Sequence, residues 1–198
     1  MARGLLVALV VLVLVVVGGL GWAVSINNQL VALDQSVNEK WAQVQNVYQR
    51  RADLVPNLVE TVKGFAAQER TVLEEVTRAR ASATSIQLTP QALNDPKSIE
   101  RFQAAQAQLS GALSRLLVAV ERYPDLKSNQ NFLALQSQLE GTENRITVER
   151  RRYNEAVREY NTRVRLVPGS VVAGIAGFQQ KTFFEAAPDA QAAPKVKF

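Results

Sequence analysis

The sequence predicts an all-α protein, an N-terminal transmembrane helix followed by an antiparallel up-and-down four-helix bundle. Three observations lead there. A charge-free stretch lies between Arg3 and Asp34, and inside it a run of apolar and small residues begins at Leu5 and ends at Val24. Downstream, apolar residues recur at alternating steps of three and four, the period of a helix face. Between these stretches stand Pro56, Thr89-Pro90, Asn94-Asp95-Pro96, Tyr123-Pro124 and Pro168-Gly169, residues that start or stop helices. No strand pattern competes with them.

The apolar run comes first. At a rise of ~1.5 Å per residue its roughly 20 residues span ~30 Å, the thickness of a bilayer's hydrocarbon core. The amino terminus and Arg3 lie on its short side, and Asp34, Glu39 and Lys40 on its long side. The positive-inside rule then keeps the short end in the cytoplasm and exports the rest, giving a single-pass protein of the cytoplasmic (inner) membrane. A cleaved signal peptide, with Ala23-Val24-Ser25 as cleavage site, is the competing reading. Its apolar region usually runs only ~7 to 15 residues, so length favours the uncleaved anchor, and both readings export the domain. A buried core helix fits worst, since little downstream is apolar enough to surround it.

The division that follows is residues 1–25 as anchor, 26–166 as helical bundle domain, 167–184 as an apolar Gly-rich segment and 185–198 as a flexible Ala/Pro tail. In the bundle domain the first stripe runs Ile26, Leu30, Leu33, Val37, Trp41, Val44, Tyr48, Arg51, Val55, Leu58, Val62, Phe65, Glu69, Val72 and Val76. Pro56 interrupts it, because proline lacks a helix donor and restricts Val55. The chain either kinks and continues there or turns into a second helix. Asn57 and Glu60 have capping-box spacing, and an unbroken helix from Ile26 to Ala83 would reach ~87 Å, too long for its neighbours to cover; both points favour a turn. Residues 84–96 then form a loop that ends with Asp95 as N-cap and Pro96 at the first helical position. The next stripe runs from Ile99 through Phe102, Gln106, Leu109, Leu113, Leu116 and Val120 to Tyr123-Pro124. The last begins near Ser128, carries Phe132, Leu139, Ile146, Tyr153, Tyr160 and Val164, and stops at Pro168-Gly169.

Composition limits the chemistry. The 198 residues contain no cysteine and no histidine. Disulfides, thiolate or imidazole zinc sites and Ser-His or Cys-His catalysis are therefore excluded, and neither cofactor nor metal is expected. The net charge of +5 is compatible with nucleic acid, but an exported chain meets little of it. Membrane lipid or envelope proteins are the expected partners.

Three strings carry a resemblance: Arg50-Arg51-Ala-Asp53-Leu-Val-Pro56-Asn57-Leu-Val-Glu60-Thr61-Val-Lys63-Gly-Phe65; Tyr123-Pro124-Asp125-Leu-Lys-Ser-Asn129; and Thr142-Glu143-Asn144-Arg145-Ile146, continuing to Arg151, Tyr153-Asn154 and Tyr160-Asn161. With these the chain resembles the LemA family of bacterial membrane-anchored proteins over nearly its whole length. The resemblance implies an N-terminal transmembrane helix, an exterior four-helix bundle and no established enzymatic activity. It transfers no catalytic residue. Glu149 stands where the resemblance leads one to expect a small residue. A magnetosome membrane protein is similar to the family, which adds membrane shaping by self-assembly as an alternative to a scaffold or adaptor role. An enzyme with unrecognised carboxylates is the weaker alternative.

Arg51, Glu69, Gln106, Thr142 and Glu149 interrupt otherwise apolar stripes. Because buried charge is costly, they are expected at the rim, with pairing across helices as the alternative. The interleaved Arg and Glu of the last helix read as a solvated face. Arg163 and Arg165 differ: they abut the apolar residues 167–178, and with Lys181 they are expected at lipid headgroups while Val171 and Phe178 lie at the interface. The chain ends Val196-Lys-Phe198. That alternation suits strand addition to a PDZ domain, which makes a PDZ-containing envelope protease a candidate partner; an ordinary tail is the alternative.

Overall fold

The fold is taken from a computed structural model, which describes residues 2–185; the tail positions Val196 and Phe198 lie outside the described residues. Helix is the only regular secondary structure among these residues. The order is α1 (Ala2–Phe65), a 3₁₀ turn (Ala67–Glu69), α2 (Arg70–Ser85), a second 3₁₀ turn (Pro90–Asn94), α3 (Pro96–Val120), the single turn α4 (Pro124–Lys127), α5 (Gln130–Arg165) and α6 (Gly169–Ala176). Residues 178–185 follow without helix.

One helix, α1, carries both an apolar stretch long enough to cross a membrane and a packed stretch. Its described apolar side chains from Leu6 to Val24 stand exposed, Leu14 at 65% and Val15 at 67%. From Ile26 one face turns inward, burying Ile26, Leu30, Val37, Trp41, Val44, Tyr48, Val55, Leu58 and Val62. The stripe read from the sequence is thus the buried face as far as Val62; Phe65, expected to continue it, is exposed, and Ala66 is buried in its place because the helix ends there.

The turn expected at Pro56 does not form. Pro56 lies inside α1, and its exposed ring leaves the buried phase intact at Val55 and Leu58. A proline at position 56 cannot donate to the carbonyl of Ala52, four residues earlier. Arg80 of α2 supplies the donor instead, its Nε lying 2.7 Å from Ala52 O. Asn57 and Glu60 accordingly cap nothing and lie exposed on the helix. The chain reverses ten residues after the proline, at Ala66, whose φ of −135° and ψ of 53° leave the helical region.

Later boundaries follow the local signals. The Asp95 carboxylate accepts from Lys97 N at 3.1 Å and Ser98 Oγ at 2.6 Å, capping α3 with Pro96 in its first turn. Helix α3 stops at Val120, just before Tyr123-Pro124. Asn129 caps α5 through Asn131 N and Phe132 N. After Arg165 the chain bends through Pro168, makes α6, and leaves it at Gly177 with φ 79°, a left-handed conformation that favours glycine. Gly169 is required by close approach, since a Cβ there would sit 2.1 Å from Arg163 O.

Helix α5 packs along α1, and α2 packs against α3 and α1. Two apolar clusters result. The distal one is aliphatic apart from Phe132, with Leu58, Val62, Val76, Leu109, Leu116 and Leu126 among its members. The proximal one, beside the exposed apolar stretch of α1, is rich in aromatic residues: Trp41, Tyr48, Phe102, Tyr153, Tyr160 and Phe184.

Candidate functional site

The most elaborate constellation lies where residues 178–185 return along α5 as an extended strap. Tyr153-Asn154 and Tyr160-Asn161 are seven residues apart, so both pairs lie on one helix face. Asn161 accepts from Lys181 N and donates to Lys181 O, each at 2.8 Å. One turn pair away, Asn154 repeats this with Phe184, accepting from its N at 2.8 Å and donating to its O at 2.9 Å. The tyrosine hydroxyls donate to Gln179 O (Tyr160, 2.9 Å) and Thr182 O (Tyr153, 3.0 Å). Thr182 N donates to Leu93 O at 2.8 Å. Apart from that bond, side chains replace the neighbouring strand that an extended backbone otherwise needs.

Two strap side chains enter pockets. Lys181 is 7% exposed, and its Nζ lies 3.0 Å from Asp34 Oδ1, 3.4 Å from Pro90 O and 5.9 Å from the Tyr160 ring centroid. Phe184 stacks on Trp41 at 5.9 Å and meets Tyr153 edge-on at 5.3 Å, while Arg150 lies 4.9 Å over its ring. Burial raises the Tyr153 hydroxyl pKa far above the usual phenolic value. Burial, helped by the Asp34 carboxylate, pushes Tyr160 up to about 12. Both therefore stay protonated and keep donating.

A buried polar joint separates the two apolar clusters. Arg51 is 1% exposed. Its Nη1 donates to Glu143 Oε1 at 2.5 Å and Ser110 Oγ at 2.8 Å, and its Nη2 to Gln106 Oε1 at 2.5 Å. Its Cζ lies 5.1 Å from the Tyr48 ring centroid, and its Nε has no partner. Burial raises the Tyr48 pKa, the nearby Arg150 and Arg51 opposing it. A cleft of about 830 Å³ opens over this joint, lined by Arg51, Gln103, Ala107, Glu143, Arg150 and Phe183 among others.

The residues singled out from the sequence divide accordingly. Glu143, Tyr153 and Asn154 belong to these two constellations. Asp53, Pro56, Asn57, Glu60, Asn144 and Arg145 are exposed on their helices and do not. Tyr123, ahead of Pro124, hydrogen-bonds Glu69 at 2.8 Å at the far end. The rim placement fails for Arg51, Gln106 and Thr142, which are buried; Arg51 adopts the paired alternative. Glu69 and Glu149 are largely covered and paired with Arg122 and Arg152. Lys181 does not face headgroups, because the strap turns it inward onto Asp34. Arg163 is half-buried and reaches Gln29 at 2.6 Å, whereas Arg165 and Val171 are exposed and Phe178 packs against the proximal cluster. Asn161 and the strap's backbone role were missed. The available signal was the seven-residue Tyr-Asn repeat, since a buried asparagine needs partners for both ends of its amide.

A long exposed apolar helix continuous with a helical domain, and an asparagine ladder that holds an extended segment, define a helical protein organised around a strap groove. The chain belongs to the LemA family, whose model matches residues 40–198. No curated protein matches it in sequence.

Proposed function

We propose that this LemA family chain is a single-pass protein of the cytoplasmic membrane whose exported domain, an antiparallel up-and-down four-helix bundle of α1, α2, α3 and α5, serves as a scaffold or adaptor for envelope proteins rather than as an enzyme. The observation that carries the proposal is α1 itself. Because the apolar stretch and the packed stretch share one helix, the domain stands upright on the bilayer with Asp34 ~15 Å beyond Val24. Partners then meet a surface held at fixed height. Helix α6 packs against α1 and α5; it exposes Val171 and Ile175, the latter at 85%, and the residues before it expose Leu166 and Val167. These side chains, with Arg165, suit the outer lipid interface.

Crosslinking in intact cells, with identification of the captured proteins, tests this reading. A scaffold yields a small, reproducible set of other envelope proteins. Capture of the chain by itself alone would instead support membrane shaping by self-assembly. A reporter fused after Phe198 that is active inside the cytoplasm would overturn the orientation.

A further inference from the structure

The strap is read in two ways. The Asn154 and Asn161 amides and the Tyr153 and Tyr160 hydroxyls bond only to its backbone, so these bonds accept any extended sequence. Selectivity comes from two pockets three residues apart: Asp34 for a lysine and the aromatic cage of Trp41, Phe102 and Tyr153 for a phenylalanine. The resident sequence is Lys181-Thr-Phe-Phe184. The same spacing occurs once more, at Lys195-Val-Lys-Phe198, and no other lysine in the sequence has an aromatic residue three positions later. Each chain therefore has one groove and two segments that match it.

We propose that the groove is a docking site for extended Lys-x-x-Phe segments, and that its second occupant is Lys195-Val-Lys-Phe198 of a neighbouring copy, exchanged against the resident strap. Lys195 would pair with Asp34 and Phe198 would enter the cage. The backbone contacts of Asn154, Asn161, Tyr153 and Tyr160 transfer, since they do not depend on which side chains the segment carries. Gly177, in its left-handed conformation between α6 and the strap, is where the strap swings out. The resident strap has the advantage of tethering, so exchange needs copies at high local density. A segment passed from copy to copy in one direction makes a head-to-tail contact, which propagates instead of closing as a two-fold dimer. The inference goes beyond the scaffold reading and does not depend on it, because the groove takes the segment from any copy within reach.

The test uses the full chain in vesicles at high density, with the substitution Phe198→benzoylphenylalanine as a photocrosslinker. Unlabelled and ¹⁵N-labelled copies are mixed. The expected product is a mixed-isotope adduct of twice the chain mass, joined at peptides containing Trp41 or Tyr153. Lys195→Glu in the probe-bearing copy should lower this adduct about tenfold, the equivalent of ~1.4 kcal/mol. Asp34→Lys in the acceptor copy should restore it. Adducts confined to single chains would overturn the second-copy assignment. Mixed adducts elsewhere, or groove adducts indifferent to Lys195→Glu, would overturn the groove itself. In intact cells, Phe198 adducts with a different protein and none with the groove would overturn the proposal in favour of a PDZ-type partner.

Discussion

The distal and proximal halves of the domain solve the same packing problem differently. Distally, α1, α2, α3 and α5 contribute mainly Leu, Val and Ala, with Phe132 as the buried aromatic, and helix covers helix. Proximally α2 is missing, because it ends at Ser85. The residues 86–95 and the strap take over the cover, and the buried side chains become aromatic. Extended segments bring backbone groups that need partners, which helices satisfy internally. Hence the proximal half carries the asparagines, the tyrosine hydroxyls and the Trp41 Nε1 bond to Leu88 O at 3.3 Å. The asparagine amides and tyrosine hydroxyls of α5 thus serve a non-helical neighbour, whereas Thr142 bonds Gln138 O within its own helix.

Alkali should separate the halves most strongly. The hydroxyl of Tyr160 has an ordinary pKa of 10.0 in the unfolded chain and about 12 when folded. A raised folded value means that its stabilisation is fully present below pH 10.0 and is lost as pH rises through about 12. Tyr153 is raised further in the same direction, so the ladder loses donors together. Proteolysis within the strap should therefore rise before helicity falls. Simultaneous loss of both would show one cooperative unit.

Truncation distinguishes the cores next. Trp41→Ala removes one wall of the Phe184 cage and should cost about 3–5 kcal/mol. Hydrogen exchange should then accelerate at the Lys181 and Phe184 amides. Leu116→Ala, in the distal core, should cost about 2–5 kcal/mol while leaving those amides protected below the melting range. Equal loss of protection in the two variants would contradict the division.

Arg51 joins the halves, and its removal should loosen their coupling. Arg51→Ala gives up charge-assisted bonds to Ser110, Gln106 and Glu143. Because Glu143 is 45% exposed and can rehydrate, the expected loss is about 2 kcal/mol, less than for a fully buried pair. Arg51→Lys should recover little, since one ammonium cannot reproduce the guanidinium's fork. Calorimetry should show a broadened or split transition; a single sharp one at lower temperature would make Arg51 a local stabiliser only.

Much of the fold was legible because its signals are local. Asp95-Pro96, Tyr123-Pro124 and the periodicities from Ile26 and Ile99 act within a turn or two of themselves. The rule that predicts a turn at Pro56 is also local, whereas the donor that offsets the proline, Arg80, lies 24 residues away. Arg51 was expected at the rim for the same reason: its partners come from α3 and α5. The strap was least legible. Residues 178–185 have no periodicity, and what fixes them is written in α5 as the Tyr-Asn repeat.

The smallest predicted effect tests that account of Pro56. If Arg80 Nε substitutes for the missing backbone donor at position 56, Arg80→Ala should cost about 1 kcal/mol in the natural chain, the ordinary net worth of a hydrogen bond. In a Pro56→Ala background the backbone amide of residue 56 reaches Ala52 O directly. Arg80→Ala should then cost only a few tenths of that amount. A double-mutant cycle read by denaturant unfolding gives the coupling, about 1 kcal/mol in the expected sense. Equal costs in the two backgrounds would mean that the guanidinium stabilises the α1–α2 contact by other means, and that the helix passes through Pro56 on its packing alone.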